Sequence, residues 1–355
     1  MAISQSIRFC NTADGVQLAV ALAGKGPPLV RAATWLTHIE CDPASMHMGH
    51  WIEELSQAHT YITYDARGCG LSSRQAADIS FERWVNDLET VVDTLGLDTF
   101  PLLGISQGAA IAVAYAARHP QRVSRLVLFG GFATSYFTTR NPDPRIVEEA
   151  ETLLQIMKLG WGKGSPALRQ VFVANFMPGA SAAQQHAFDE YQRVTATPEM
   201  AVRNLREMFN VDVKDAARKL ACPAIVFHAR NEQLILFDQG RKLATLIPGS
   251  RFVPVDSVNH LPFSDEPCWP GIVREMRAFL GYQVGTATPA PKLTGRQVDV
   301  LRHVAAGKTD KLIARELHLS PRTVEMHVAG AIKALGCATR AEAVHRATMA
   351  RLLDL

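Results

Sequence analysis

The sequence predicts an α/β domain, a mostly parallel sheet roofed by a helical lid, followed by a small all-α domain. Three observations point there. Apolar, strand-like runs alternate with helix-like stretches across the first 280 residues, the rhythm of a parallel sheet covered by helices. One such run, 100–105, passes through Gly104-Ile105-Ser106-Gln107-Gly108 straight into an Ala-rich helix ending near Arg118. The net charge of +3 is also unevenly spread. Residues 291–355 hold 11 Lys and Arg against 6 Asp and Glu, net +5, and the rest holds 26 against 28, net −2. A basic tail on a nearly neutral body is the asymmetry of a segment that faces nucleic acid.

In chain order, the strand candidates are 28–33, 60–64, 100–105, 123–129, 224–228 and 251–255. Ser80 stands where it would cap a helix over 81–95, and Gly96 stands just past its end. Trp84, Leu88, Val91, Val92 and Leu95 recur there at helical spacing, a core-facing stripe. Residues 132–220 break the rhythm with several helices and no strong strand, an insertion expected to form the lid. Gly, Thr and Pro without charge over 281–291 mark a linker, so domains are expected at 1–280 and 292–355. The N-terminus lacks an apolar signal core, and no apolar run approaches the ~18 residues that span a bilayer. A soluble, cytoplasmic protein without a membrane partner is expected. The six cysteines are scattered without a CxxC pair, which reads as free thiols in a reducing compartment.

A strand, a tight turn carrying serine and then a helix is the setting of a nucleophile elbow, with Ser106 exposed at its tip. A serine nucleophile needs a base to take its proton and an acid to orient that base. Loops after the later strands supply candidates: Glu232 after 224–228 and His260 after 251–255, with Asp256 an alternative acid. Backbone N–H groups of Gln107 and Trp35 are the expected oxyanion donors. These segments, with Tyr64-Asp65-Ala66-Arg67-Gly68-Cys69-Gly70-Leu71-Ser72, resemble the α/β-hydrolase superfamily over residues ~15–280. The resemblance implies the chain order serine, acid, histidine, which Ser106, Glu232 and His260 follow. It departs at Ala33-Thr34, where relatives have His-Gly, and at Glu232, where Asp is commoner. Asp65 and Arg67 are expected to fix loops, Asp87 to cap or pair structurally on the 81–95 helix, and Cys69 to be a small turn residue. His47-x-x-His50, near His38 and Cys41, has no accompanying carboxylate motif, so no metal and no cofactor is expected. Trp161, Phe172, Phe176 and Met177 form either the lid's ceiling over a ligand or its own core.

From Leu293 four short helices follow. Thr294-x-x-Gln297 opens the first as a capping box and Gly307 ends it. Thr309 caps a second over 310–318, Leu319-Ser320-Pro321 starts a third that Gly336 ends, and Thr339-x-x-Glu342 boxes a fourth. This helix-turn-helix resembles the LuxR-type DNA-binding domain through Leu293-Thr294, Val300-Leu301, Ile313-Ala314, Leu319-Ser320, Thr323-Val324, His327-Val328, Leu335-Gly336 and 340–344. The resemblance implies a third helix in the major groove of double-stranded DNA, with Arg322, Thr323, Glu325, Met326 and His327 at its reading end. Lys308, Thr309, Lys311 and Lys333 are candidate phosphate contacts. Lys333 lies one position before the family's usual lysine, a turn of about 100° around the helix. The expected function is a dimeric transcriptional regulator whose hydrolase-like domain senses, and in one version hydrolyses, a small apolar ester, lactone or acyl ligand. The alternative is a working serine esterase with a localising or oligomerising tail.

Overall fold

A computed structural model describes residues 3–35, 37–138, 143–161, 171, 173–282, 293–335, 337, 339–349 and 352–353. The chain divides into two units, Met1–Tyr282 and Gln283–Leu355. Most of the expected linker, and Phe172, lie outside the described residues.

The first unit is built on an eight-stranded sheet ordered β1-β2-β4-β3-β5-β6-β7-β8. The strands are β1 (Gln5–Asn11), β2 (Gln17–Ala23), β3 (Pro28–Arg31), β4 (Thr60–Tyr64), β5 (Phe100–Ile105), β6 (Val123–Phe129), β7 (Ala224–Ala229) and β8 (Arg251–Val255). From β4 to β8 every neighbouring pair is parallel, whereas β1 pairs β2 and β2 pairs β4 antiparallel. The hairpin β1–β2 was not among the strand candidates. Its edge strand is mostly exposed, so β1 has no apolar run to betray it. The turn between them is held by Thr12, whose hydroxyl accepts the Val16 N–H at 3.0 Å, and by Gly15 at φ +82°.

The helix Phe81–Thr94 buries Trp84, Leu88, Val91 and Val92 as the stripe implies, and Gly96 follows at φ +64°. Ser80 stands at its start, but its side chain makes no capping bond. Phe81 N–H is taken instead by Glu207 of the lid, at 2.7 Å. The lid rises between β6 and β7 as the helices Pro144–Gly160, Ala182–Thr195, Pro198–Met208 and Lys214–Arg218. An isolated bridge between Cys69 and Ala196 stitches it to the body, and a second, Thr134 with Asp212, ties the two ends of the insertion together. Among the described residues no helix is long and apolar enough to cross a membrane.

Among the described residues the second unit has four helices: Gly295–Ala305, Asp310–Glu316, Pro321–Leu335 and Arg340–Met349. Val300, Ile313, Ala314, Val324 and Val328 make one small core, and Leu301, Ala331, Leu335, Ala343 and Ala347 another. The Thr294–Gln297 capping box forms reciprocally. Thr309 occupies its N-cap position, yet its side chain makes no capping bond. The second helix stops at Glu316 because His318 turns left-handed, φ 54°, and Leu319 N–H returns to the Ala314 carbonyl at 2.8 Å.

Candidate active site

Ser106 joins β5 to the helix Gln107–Arg118 with φ 53° and ψ −125°, a backbone that a residue with a side chain holds only under strain. Its N–H donates to the Phe129 carbonyl on β6, at 2.9 Å. The two flanking glycines are required by close approach. A Cβ on Gly104 would lie 2.5 Å from Ala109 Cα, and one on Gly108 2.9 Å from the Ala32 carbonyl oxygen. The same contact between Gly108 and the end of β3 brings Trp35 to the elbow.

His260 reaches the elbow from the loop after β8. Its ring lies over Gly130, where a Cβ would meet Cε1 at 2.7 Å, and Gly130 follows the Phe129 that binds Ser106. His260 Nδ1 donates to Glu232 Oε2 at 2.6 Å, and both residues are buried. Nε2 is buried and makes no hydrogen bond, so none joins it to Ser106. The structure therefore brings Glu232 and His260 together and leaves the ring's other nitrogen buried and unpaired, with the ring over the Gly130 that follows Ser106's partner Phe129. Asp256 faces solvent, and the carboxylate at His260 Nδ1 is that of Glu232. Burial pushes the Glu232 carboxyl up, but the His260 and His228 rings outweigh it and hold it below the usual carboxylate range.

Glu266, which nothing in the sequence marked, pins the histidine loop. Its carboxylate accepts from Ser257 Oγ at 2.6 Å, Asn259 Nδ2 at 2.9 Å and Phe263 N at 2.7 Å. The loop residues expected to be structural have structural partners. Asp65 accepts from the Ile39 and Leu71 N–H groups, and Arg67 pairs with Asp87 and Asp14. Cys69 Sγ donates to the Trp35 carbonyl at 3.0 Å.

At Ser106 the cavity is small, about 30 Å³, lined by Thr34, Trp35, His47, Phe176 and Phe188 among others. His47 and Phe188 also line an outer cavity of about 430 Å³. These two side chains, 5.1 Å apart edge to face, separate the two spaces. Phe188 stacks on Phe176 at 4.8 Å, and Phe176 packs against His260 at 5.0 Å. Tyr191, from the same lid helix as Phe188, donates to Asp42 Oδ1 at 2.6 Å, and buried Arg31 holds the other oxygen at 3.0 Å. Trp161 packs on Trp35 and donates to the Ala196 carbonyl at 2.9 Å, so it covers the loop after β3. A further cavity, about 660 Å³, lies beside Glu40, Glu53 and Asp265. Glu40, Glu53, Glu190 and Asp265 line the two outer spaces, and no described Lys or Arg does.

Residues 43–267, more than half of the chain, match the α/β hydrolase fold family. The chain belongs to the α/β-hydrolase fold family. In the same chain, residues 291–347 match the luxR family of bacterial regulatory proteins, so this α/β hydrolase carries a helix-turn-helix DNA-binding domain. Among curated proteins, the hydrolase domain is similar to pyrrolizixenacetamide deacetylase of Xenorhabdus hominickii, 23% identical, covering 71% of this chain and 90% of the relative. Among solved structures it resembles an esterase from Exiguobacterium antarcticum, with TM-score 0.66, 23% identity and coverage of 77% and 99%. It also resembles the enol-lactonase from Burkholderia xenovorans LB400, with TM-score 0.62, 21% identity and coverage of 78% and 100%. At that identity the two structures show the fold alone.

In the luxR-family domain, the helix Pro321–Leu335 buries Val324, Val328, Ala331 and Leu335. Its other face exposes Arg322, Glu325, Met326 and Lys333, with Thr323 and His327 half-buried beside them. Thr323 is tied locally: its N–H donates to Ser320 Oγ at 3.1 Å, and the two hydroxyls meet at 2.8 Å. Thr309 and Lys311 are exposed. Lys308 is committed to an ion pair with Glu316, which His303 also approaches at 3.1 Å.

Proposed function

We propose that this chain is a one-component transcriptional regulator whose hydrolase domain binds, and turns over, a small uncharged acyl compound. The observation that carries the reading is the 2.6 Å Glu232–His260 pair beside a strained serine, in a chain that ends in a luxR-family domain. Ser106 Oγ attacks the acyl carbon and His260 Nε2 takes its proton, returning it to the leaving group as that bond breaks; water, giving its proton to the same nitrogen, then releases the acyl group from Ser106 as the acid. Glu232 holds the imidazole tautomer, and the N–H groups of Trp35 and Gln107 receive the oxyanion. The names of similar proteins (a deacetylase, an esterase, an enol-lactonase) support an amide, ester or lactone. Carboxylates around the outer cavities disfavour an anionic ligand.

In the tail, Arg322, Thr323, Glu325, Met326 and His327 read base edges, and Thr309, Lys311 and Lys333 meet phosphates of duplex DNA. Lys308 contributes there only by leaving Glu316. The regulator acts in the cytoplasm as a homodimer, matching two half-sites. A ligand shifts the regulator only by binding its two states unequally.

Fluorophosphonate labelling of wild type and Ser106→Ala tests the site. Labelling that vanishes in the variant supports an activated nucleophile. No labelling of folded wild type removes turnover and leaves a binding pocket. Equal binding to operator and random duplex removes the regulator and leaves the esterase with an accessory tail.

A further inference from the structure

Every residue of β7 is buried, and His228 is the only polar side chain among Ala224, Ile225, Val226, Phe227 and Ala229. A buried imidazole in an apolar strand is costly unless its nitrogens are used. Here Nε2 faces two acceptors: the Ile235 carbonyl at 2.7 Å and Glu232 Oε1 at 2.6 Å. Nε2 therefore carries the hydrogen. It points along the bond to Ile235, and the carboxylate oxygen lies beside that bond, outside regular hydrogen-bond geometry. Nδ1 is buried without a partner. It faces Gly240 in the helix Phe237–Leu246, where a Cβ would come within 2.1 Å. An orphan nitrogen and a mid-helix glycine are both unfavourable, and both exist to seat this ring.

We infer that His228 is a positioning residue for the triad acid, its ring wedged against Oε1 of Glu232 so that Oε2 meets His260. The inference rests on the proposed hydrolytic site and adds a residue to it. Glutamate has one more torsion than aspartate, so a carboxylate reaching His260 from this loop needs a second restraint. His228 supplies it twice over. It sits against the free carboxylate oxygen, and through Ile235 it closes the loop that carries Glu232.

The test compares His228→Leu, His228→Gln and Gly240→Ala, each also combined with Glu232→Gln, in full-length protein. Two readouts are taken: the rate of fluorophosphonate labelling and the low-field ring N–H proton of His260 by NMR. Loss of an orienting partner is expected to slow labelling about tenfold in H228L. The His260 proton signal should shift or broaden with it. H228Q, whose amide nitrogen can replace Nε2–H, should recover most of both. On the E232Q background H228L should add nothing, since His228 acts through that carboxylate. Should H228L fail to fold, G240A crowds the native ring and is expected to shift the same proton. An unmoved proton signal in H228L and G240A, or an equal slowing on the E232Q background, overturns the inference. If wild type does not react with the probe, turnover is lost from the proposed function, while the proton signal still decides the role of His228.

Discussion

At Ser106 the backbone itself is a measurable quantity. A φ of 53° costs a residue with a side chain roughly 1–3 kcal/mol. Ser106→Gly should therefore abolish labelling yet raise stability to urea by about 1 kcal/mol, after glycine's own entropy cost. Ser106→Ala keeps the strain and should lose labelling with no such gain. Equal stability of the two variants would mean that the elbow is unstrained. His47 offers a second test. Burial lowers its pKa from 6.5 to about 4, so over that range the unfolded chain holds more protons and stability falls as pH is lowered. Asp65 has the opposite sign. Burial raises it from 3.8 to about 7, so the folded state holds the extra proton and stability falls as pH rises. The two partly cancel, and only a difference between variants separates them. His47→Phe should gain on wild type, by up to a few kcal/mol, as pH drops from about 6.5 to about 4. Above pH 7 the gap should stay flat. The positions of Ser106, Glu232 and His260 are legible in the sequence because each follows a strand-like run in the expected order. Asp42, His228 and Glu266 are not, because what they do is set by contacts. Tyr191 meets Asp42 from 149 residues away.

Among the elements, the insertion supplies Phe176 and Phe188 to the lining of the cavity at the serine. Its helix Ala182–Thr195 places Phe188 against His47 and fastens itself by the Tyr191–Asp42 hydrogen bond. That bond is buried and ends on a carboxylate, a class contributing about 1.5–3 kcal/mol. Tyr191→Phe keeps the ring and removes the fastening. It should therefore speed labelling by long-chain fluorophosphonates more than by short ones, several-fold at the longest chain. A uniform change across chain lengths would assign the wall to other residues. In either protein, neutral p-nitrophenyl esters should outrun esters carrying a carboxylate, given the four acidic residues outside. The lid was legible only as an interruption: the sequence marks helices over 132–220, while their seating depends on Glu207, Trp161 and Tyr191 meeting distant backbone and side chains. The central strands were legible because burial on both faces leaves continuous apolar runs. Edge strand β1 escaped because exposed Ile7, Arg8 and Phe9 give it no such run; β2, whose run over 18–23 is apolar and mostly buried, is no less legible than the central strands.

For the whole molecule, a hydrolase site and a DNA-reading domain in one chain matter functionally only if their binding energies are coupled. Coupling in binding is reciprocal: whatever factor a ligand applies to operator affinity, operator applies to ligand affinity. The proposed turnover would hide this, because a site that consumes its ligand never reaches equilibrium. Ser106→Ala preserves the pocket and removes the chemistry, so it is the protein in which to measure coupling. With a neutral ester or lactone bound, its operator affinity should change by about 5–150-fold, the usual range of allosteric coupling. Ligand affinity should change by the same factor when saturating operator is added. The tail's net charge of +5 makes salt a necessary control. Affinity for any duplex falls steeply as salt rises, but the ligand-dependent factor should persist on operator and be absent on random DNA. Thr323→Ala and His327→Ala should weaken operator binding while leaving ligand binding by the isolated pocket unaltered. If operator and ligand each bind with an affinity indifferent to the other, the two domains share a chain without sharing a function, and sensing by this site is excluded.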